Sequence, residues 1–367
     1  MKFTLDTKTL NAGLAAVVKA LSSRPALPIL EGVYVEATQE GVLLKCSDLA
    51  LQIECLLPAT VEQEGKTVAP GRLFSEMARK LPEETVELEL NGKALQLVCG
   101  RAKTSMQCME PEDFPDMPFV GEQYSISLPQ NKLKDMIRQT VFSTAQEESK
   151  PILTGVLMEL NEDALTLVAL DGFRLALRRA ALAQDTGKQK EAVVPAKSLN
   201  EIARTLQDTE DPVQLVFTNT HVLLDLGHTR VTARLLDGDF IRYKQILPAD
   251  HVTRVRVNRQ ELLESIDRAM LLAREGNNNL VRFSISIDRL KLFANSAIGS
   301  IDENIAIELN GDDIEIAFNA RYFSDVLKVL DDEYVYLDMN NNVSPCVVRP
   351  IQGDAFYYLI LPVRIFT

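Results

Sequence analysis

Residues 69–90 read APGRLFSEMARKLPEETVELEL, and the pattern returns at 194–217 as VPAKSLNEIARTLQDTEDPVQLVF and at 318–339 as FNARYFSDVLKVLDDEYVYLDM. Each copy is a strand end, a two-residue break, about ten helical residues, an acidic turn and a second strand. The copies begin at 69, 194 and 318, so they lie 125 and 124 residues apart. Self-similarity at a fixed interval marks a repeated architecture.

A second unit precedes each copy in nearly constant phase. FTLDTKTLNAGLAAVV from Phe3, ISLPQNKLKDMIRQTV from Ile126 and VRVNRQELLESIDRAM from Val255 each read as a short strand followed by a helix. Leu133, Met136 and Ile137, and again Leu262, Leu263 and Ile266, keep the three- and four-residue spacing of one helical face. Between the helices lie segments of strong β propensity: GVYVEA, GVLLKC and LQIECLL first, then GVLMEL, LTLVAL and VLLDLG, then FSISI, LKLFA and IAIEL. Domain ends recur as DFPDMP after Glu112, DFIRYKQILP after Gly238 and LILPVR at the C-terminus. Two helices and many strands in about 120 residues make an α+β domain. The sequence therefore predicts three tandem similar domains, each with two helices packed on antiparallel sheets, at 1–120, 121–249 and 250–367. The boundaries near Gly121 and Asp250 carry no Gly/Ser linker, so the domains are expected to pack rigidly in a row.

The chain is 46% hydrophobic and 25% charged without low-complexity runs, the composition of a globular protein. No apolar stretch reaches the roughly 18 residues of a membrane span. MKFTLDTKTLN has no signal-peptide core, so a cytoplasmic protein without a membrane partner is expected. Cys46, Cys55, Cys99, Cys108 and Cys346 form no CxxC pair, and His221, His228 and His251 lack ligand spacing. Reduced core thiols and no metal are expected. Without GxxxxGK[ST] or GxGxxG, no nucleotide cofactor is expected either.

The net charge of −13 taken alone argues against a nucleic-acid partner. The position of the basic residues argues the other way. The second helix of each repeat opens on Arg72, Lys197 or Arg321 and carries Arg79, Arg204 or Lys328 seven residues later. Two turns of helix put i and i+7 on one face. In a single helix this would be a solvated face with local ion pairs, such as Glu76 with Arg72 or Lys80 and Asp325 with Arg321. Its recurrence in all three copies of an acidic chain favours a basic surface for a phosphate backbone. No finger ligands, RNP aromatics or helix-turn-helix accompany it, so binding is expected to be independent of base sequence and sensitive to salt.

The order MKFT…SSRPALPIL…CSDL…DFPDMP…LDGFRLAL…LLDGDFIRYKQILP…LILPVR resembles the bacterial DNA polymerase III beta subunit, the sliding clamp family, from Met1 to about Ile365. The resemblance implies a head-to-tail homodimer, a closed ring of six domains that encircles duplex DNA topologically and tethers the replicative polymerase. It also implies a clamp loader, other proteins that carry a clamp-binding peptide, and no chemistry of the chain's own.

By residue-to-residue match it implies a peptide cleft between the second and third domains. Its walls would be Leu153, Leu170, Gly172, Phe173, Arg174, Leu175, Ile241, Ile246, Tyr322, Val343, Leu361, Pro362, Val363 and Arg364, with Asn319 nearby. The chain then continues as Ile365-Phe366-Thr367. Phe173 stands where the family often has His, and Leu170 where it has Thr, which makes the groove more apolar. Such a groove suits a peptide carrying Leu, Phe or Met. For DNA the resemblance adds Arg24 and Lys150, with Pro151 and Ile152 where relatives can present two aromatics. For ring closure it implies Arg101, Lys103 and Met106 in GRAKTSM, against Leu271, Leu272, Asp302 and Glu303.

Two other classes compete. A hydrolase would use Asp171 with a cleft carboxylate, but no nucleophile elbow or His partner accompanies it, and Asp171-Gly172 reads as a turn. A protein scaffold whose stripes only solvate their helices predicts that charge reversal at Arg79, Arg204 and Lys328 leaves DNA retention unchanged.

Overall fold

The computed structural model describes residues 1–22, 25–117, 124–146, 150–161, 163–183, 187, 189–275 and 279–364. Arg24, Gly121 and the 365–367 tail lie outside the described residues. The helices among the described residues are α1 (Thr7–Val17), α2 (Gly71–Ala78), α3 (Gln130–Arg138), α4 (Ala196–Thr205), α5 (Arg259–Ala273) and α6 (Ala320–Val329). Each repeat runs strand, helix, four strands, helix, three strands, and the first has one additional short strand, Thr60–Gln63.

Local chemistry starts the helices. Asp6 caps α1 by accepting the Thr9 N–H at 2.9 Å, and Asn258 caps α5 by accepting from the Gln260 and Glu261 amides at 3.0 Å. Asn319 caps α6 by accepting the Arg321 N–H. The second helices begin one residue earlier than the sequence predicts, at Gly71, Ala196 and Ala320. The small residue of the break is already helical, so Arg72, Lys197 and Arg321 occupy the second position.

The chain forms two compact units, Met1–Asn131 with Lys197–Leu235, and Lys132–Ala196 with Leu236–Thr367. The first holds a five-stranded sheet and an eight-stranded sheet. In the larger sheet, Thr229–Arg234 of the middle repeat pairs antiparallel with Leu51–Leu57 of the first, Thr229 opposite Cys55 and Ala233 opposite Leu51. The second unit holds a twelve-stranded sheet in which Arg174–Ala181 pairs antiparallel with Phe356–Ile360, Arg174 opposite Ile360. Backbone ladders thus join successive repeats and remove strand edges that would otherwise stand unpaired.

Both joins use the same turn. Asp48 Oδ1 accepts the amides of Ala50 and Leu51 at 3.0 and 2.8 Å, and Asp171 Oδ1 accepts those of Phe173 and Arg174 at 2.9 and 3.0 Å. The residue after each aspartate has positive φ, 72° at Leu49 and 94° at Gly172. Glycine takes that conformation freely, whereas leucine holds it under strain.

Helices α5 and α6 cover the sheet of the third repeat. Leu262, Ile266 and Met270 pack there with Phe283, Phe318 and Phe323. The three rings lie 4.9–5.2 Å apart, in the tilted and edge-on arrangements that aromatic quadrupoles favour. All five cysteines are free and buried, as the sequence leads one to expect. None of the described helices is long and apolar enough to cross a membrane.

Candidate functional site

Where its two repeats share a sheet, the second unit holds a buried apolar cluster that includes Leu153, Leu170, Leu175, Tyr243 and Leu359. Leu153, Leu170 and Leu175 are each at most 4% exposed and so lie beneath the surface. Among the other apolar positions expected at a cleft, Phe173 is 60% exposed, Val343 60%, Ile246 42%, Ile241 38% and Leu361 36%. Large exposed apolar side chains of this kind are candidates for a binding surface.

Local structure sets these positions. The Asp171 turn carries Phe173, and a β-carbon added at Gly172 would meet no atom within 4 Å, so the space beside Gly172 is open. Phe173 stacks on Tyr322 of α6 with ring centres 6.4 Å apart and planes 21° apart. Burial, then the Asp171 carboxylate, pushes the Tyr322 phenol up, so it stays neutral. The Leu361 amide donates to the Phe173 carbonyl at 2.9 Å, and the Val363 amide to the Ala317 carbonyl at 2.8 Å, which draws the C-terminal strand end along the groove. Val343 sits in a turn whose amides donate to Asn341 Oδ1. Pro362 is partly exposed and Arg364 exposed, while Asn319 serves α6 as its cap.

Arg174 corrects the expectation that it lines the wall. Its side chain is only 11% exposed and lies beneath the surface. Nε donates to Asp171 Oδ2 at 3.0 Å, one terminal nitrogen to Asp325 Oδ2 at 2.6 Å, and the other to the Phe142 carbonyl at 2.7 Å. The guanidinium lies 4.7 Å from the Tyr322 ring centre and 5.4 Å from that of Phe142. One planar cation thus ties the turn, α6 and the 141–143 turn together, a task suited to arginine's fixed fork. Asp171 has both oxygens engaged in this work, which leaves it no role as a catalytic base.

The strap from Phe240 to Leu247 carries the exposed Ile241 and Ile246 and packs Phe240 and Leu247 against the same buried cluster. The buried Tyr243 amide donates to the Ile241 carbonyl at 2.6 Å, and the Tyr243 carbonyl accepts the Ile246 amide at 2.9 Å. Below it Glu159, 4% exposed, accepts from the Tyr243 hydroxyl at 2.6 Å, Lys244 Nζ at 2.5 Å and Asn161 Nδ2 at 3.1 Å. Burial works to raise the Glu159 pKa, but the bonds from Lys244, Tyr243 and Asn161 outweigh it and hold the group below the usual glutamate value. Nothing in the sequence pairs Glu159 with residues more than eighty positions away, and no local pattern signals the contact.

The six basic positions of α2, α4 and α6 are all exposed. The local pairs of a purely solvated face form only in part. Arg204 meets Glu201 at 2.8 Å, Lys328 meets Asp267 of α5 at 3.2 Å, and Lys197 reaches Asp48 of the first repeat at 2.8 Å. Asp325 pairs with Arg174 rather than with Arg321. Arg72, Arg79 and Arg321 have no ion-pair partner among the described residues. Lys150 is exposed beside the 151–154 turn.

Ala102–Gln107 forms one edge of the five-stranded sheet, with Arg101 and Lys103 exposed. Met106 is 3% exposed and belongs to the core of its own domain, which corrects its expected place on the outer edge; strand alternation turns it inward. In the third repeat, Gly299–Asn310 pairs with Arg289–Ser296 along Gly299–Ala306, and with Thr253–Asn258 only from Ile307 onward. One side of Ser300–Ala306 is therefore unpaired among the described residues. Leu271 is 65% exposed and Ile298 71%, with Leu272 beside the Gly299 turn. Ile298 escaped the sequence reading because a lone Ile in a turn has no pattern. Asp302 pairs with Lys291 at 2.6 Å, and Glu303 is gripped by both Arg268 nitrogens at 2.6 Å, which hold its pKa down. Both carboxylates expected at ring closure are thus already engaged within the chain. Among the described residues no His, Cys, Asp and Glu cluster is disposed to hold a metal ion.

Sequence profiles of the DNA polymerase III beta subunit match this chain in three parts: the N-terminal domain over residues 1–118, the central domain over 127–241 and the C-terminal domain over 244–364. The beta sliding clamp of Bacillus subtilis is 36% identical over 378 residues, covering all of both chains. Among solved structures, a putative DNA polymerase III beta subunit from Eubacterium rectale superposes with a TM-score of 0.96 at 36% identity. The DNA polymerase sliding clamp of Bacillus subtilis gives 0.97 at 35%, and both structures cover this chain in full and are covered in full by it.

Proposed function

As the chain belongs to the bacterial DNA polymerase III beta subunit family, we propose that two copies of it close head to tail into a ring around duplex DNA. Its role is that of a sliding clamp, a non-catalytic processivity factor of the polymerase. Three domains, at 1–120, 121–249 and 250–367, would give each ring six. The observation that carries the reading is the exposed basic pair repeated on α2, α4 and α6 in a chain of net charge −13. These faces, with Arg24 and Lys150, would line the hole and meet the phosphate backbone without reading bases. The groove around Phe173 and Tyr322 would take the short peptide by which the replicative polymerase, the clamp loader and other DNA-processing proteins hold on. The setting of that work is the cytoplasm.

The deciding experiment is topological. Protein loaded onto nicked circular DNA with its loader and ATP should stay on the circle and leave when the circle is cut once. Equal retention on circular and linear DNA would mean a site-bound ligand, and the ring would be wrong.

Ring closure would join the free edge of Ala102–Gln107 to the unpaired side of Ser300–Ala306 in a second copy, a heterologous contact that closes by symmetry. Because Asp302 and Glu303 are engaged within the chain, the apolar patch at Leu271 and Ile298 should supply most of the affinity. Leu271→Glu with Ile298→Ser is expected to weaken the dimer on the order of a hundredfold, since each desolvated apolar anchor contributes a kilocalorie or more. Sedimentation velocity across a dilution series measures it; an unchanged dimer would put the interface elsewhere.

A further inference from the structure

We propose that Glu159 is a positioning residue for the peptide groove, a buried latch that holds the strap carrying Ile241 and Ile246 in its binding conformation. The inference rests on the reading of the groove as a partner site. Glu159 is itself buried, only 4% exposed. It acts through Tyr243, whose hydroxyl it accepts and whose backbone bonds Ile241 on one side and Ile246 on the other. Lys244, the next residue, takes the second carboxylate oxygen. Two adjacent strap residues are therefore pinned to one side chain on the strand Gly155–Leu160.

The strap has room to move if the pin is drawn. Beside it opens a pocket of about 290 Å³ lined by Leu157, Glu159, Glu191, Ile241, Arg242 and Tyr243. The ends of the strap, Phe240 and Leu247, pack partly buried on the apolar cluster, while Ile241, Arg242, Lys244, Gln245 and Ile246 between them are exposed and Tyr243 alone is fully buried. Glu159 is the polar pin of this middle stretch, and losing it frees Ile241 and Ile246 to shift. Binding then weakens in inverse proportion to the fraction of time the wall is in place.

Tyr243→Phe tests this, because it keeps the buried ring and removes only the hydroxyl. A fluorescent nonapeptide with central Leu and Phe is titrated by anisotropy, well below the melting temperature of every variant. Tyr243→Phe should weaken binding about tenfold, the penalty for a wall in place one-tenth of the time. Glu159→Gln, which still accepts the hydroxyl, should fall between that variant and the unsubstituted chain. Hydrogen exchange at the Ile246 amide should quicken in Tyr243→Phe without a general rise in exchange. Phe173→Ala reports on the groove itself. If Phe173→Ala weakens the peptide and Tyr243→Phe leaves it within twofold, Glu159 serves only the fold and the latch is wrong. If neither variant changes binding, the peptide sits elsewhere and the groove reading falls together with the latch.

Discussion

Arg174→Ala is expected to cost about 3–5 kcal/mol of stability in the unit that bears the groove and to lower peptide affinity by about two orders of magnitude. The magnitude follows from what the substitution leaves behind. Asp171 and Asp325 would face each other across the vacated space, side chains 16% and 29% exposed, with the Phe142 carbonyl turned toward both. Removing one member of a partly buried ion network is costly mainly because the remaining charges lose their compensation. The turn that projects Phe173 and the helix that presents Tyr322 would then lose their common tie, and the 6.4 Å stack with them. Arg174→Lys should recover only part of the loss, because one ammonium cannot reproduce a fork aimed at three acceptors. Denaturant unfolding gives the stability and peptide titration of the folded protein gives the affinity. A loss below about 1 kcal/mol, the usual worth of an exposed pair, would mean that water compensates the carboxylates and that Arg174 is not a strut.

That network also marks how far the sequence alone could be read. The repeats at 69, 194 and 318 were legible because helical and strand periods are properties of neighbouring residues, and the three second helices follow from them with starts displaced by one position. The turn at Asp171-Gly172 was legible for the same reason: an Asx side chain and a glycine together specify it locally. Arg174 is expected on a cleft wall, but its side chain lies beneath the surface. Its partners Phe142 and Asp325 lie 32 and 151 positions away, and Asp325 looked like a helix-surface partner for Arg321. The same limit hid the Glu159 latch and the Arg268 grip on Glu303. In each case a charge reads as solvated until the fold brings a distant partner to it. Met106 was misplaced by a subtler fault, since a strand at a sheet edge still turns alternate side chains inward.

Reversing charge at Arg79, Arg204 and Lys328 to Glu should lower affinity for linear duplex DNA at low salt on the order of a hundredfold. It should also reduce the slope of log affinity against log salt by about three per chain, as expected when three phosphate contacts per chain are lost. The fold should survive, because these side chains are exposed and the pairs that Arg204 and Lys328 make, with Glu201 and Asp267, contribute at most about 1 kcal/mol each. Arg79 has no such pair among the described residues, so its charge is the one most free for phosphate. The prediction separates two roles that a single retention assay would merge. Affinity for linear DNA depends on the charges, whereas a ring already closed on a nicked circle is held by topology and should remain there at moderate salt. If the triple variant binds linear DNA like the unsubstituted chain, the stripes only solvate their helices, however regularly they recur. If it loses both linear affinity and retention on the circle, the charges rather than the closed ring hold the DNA, and the topological account is the one that must go.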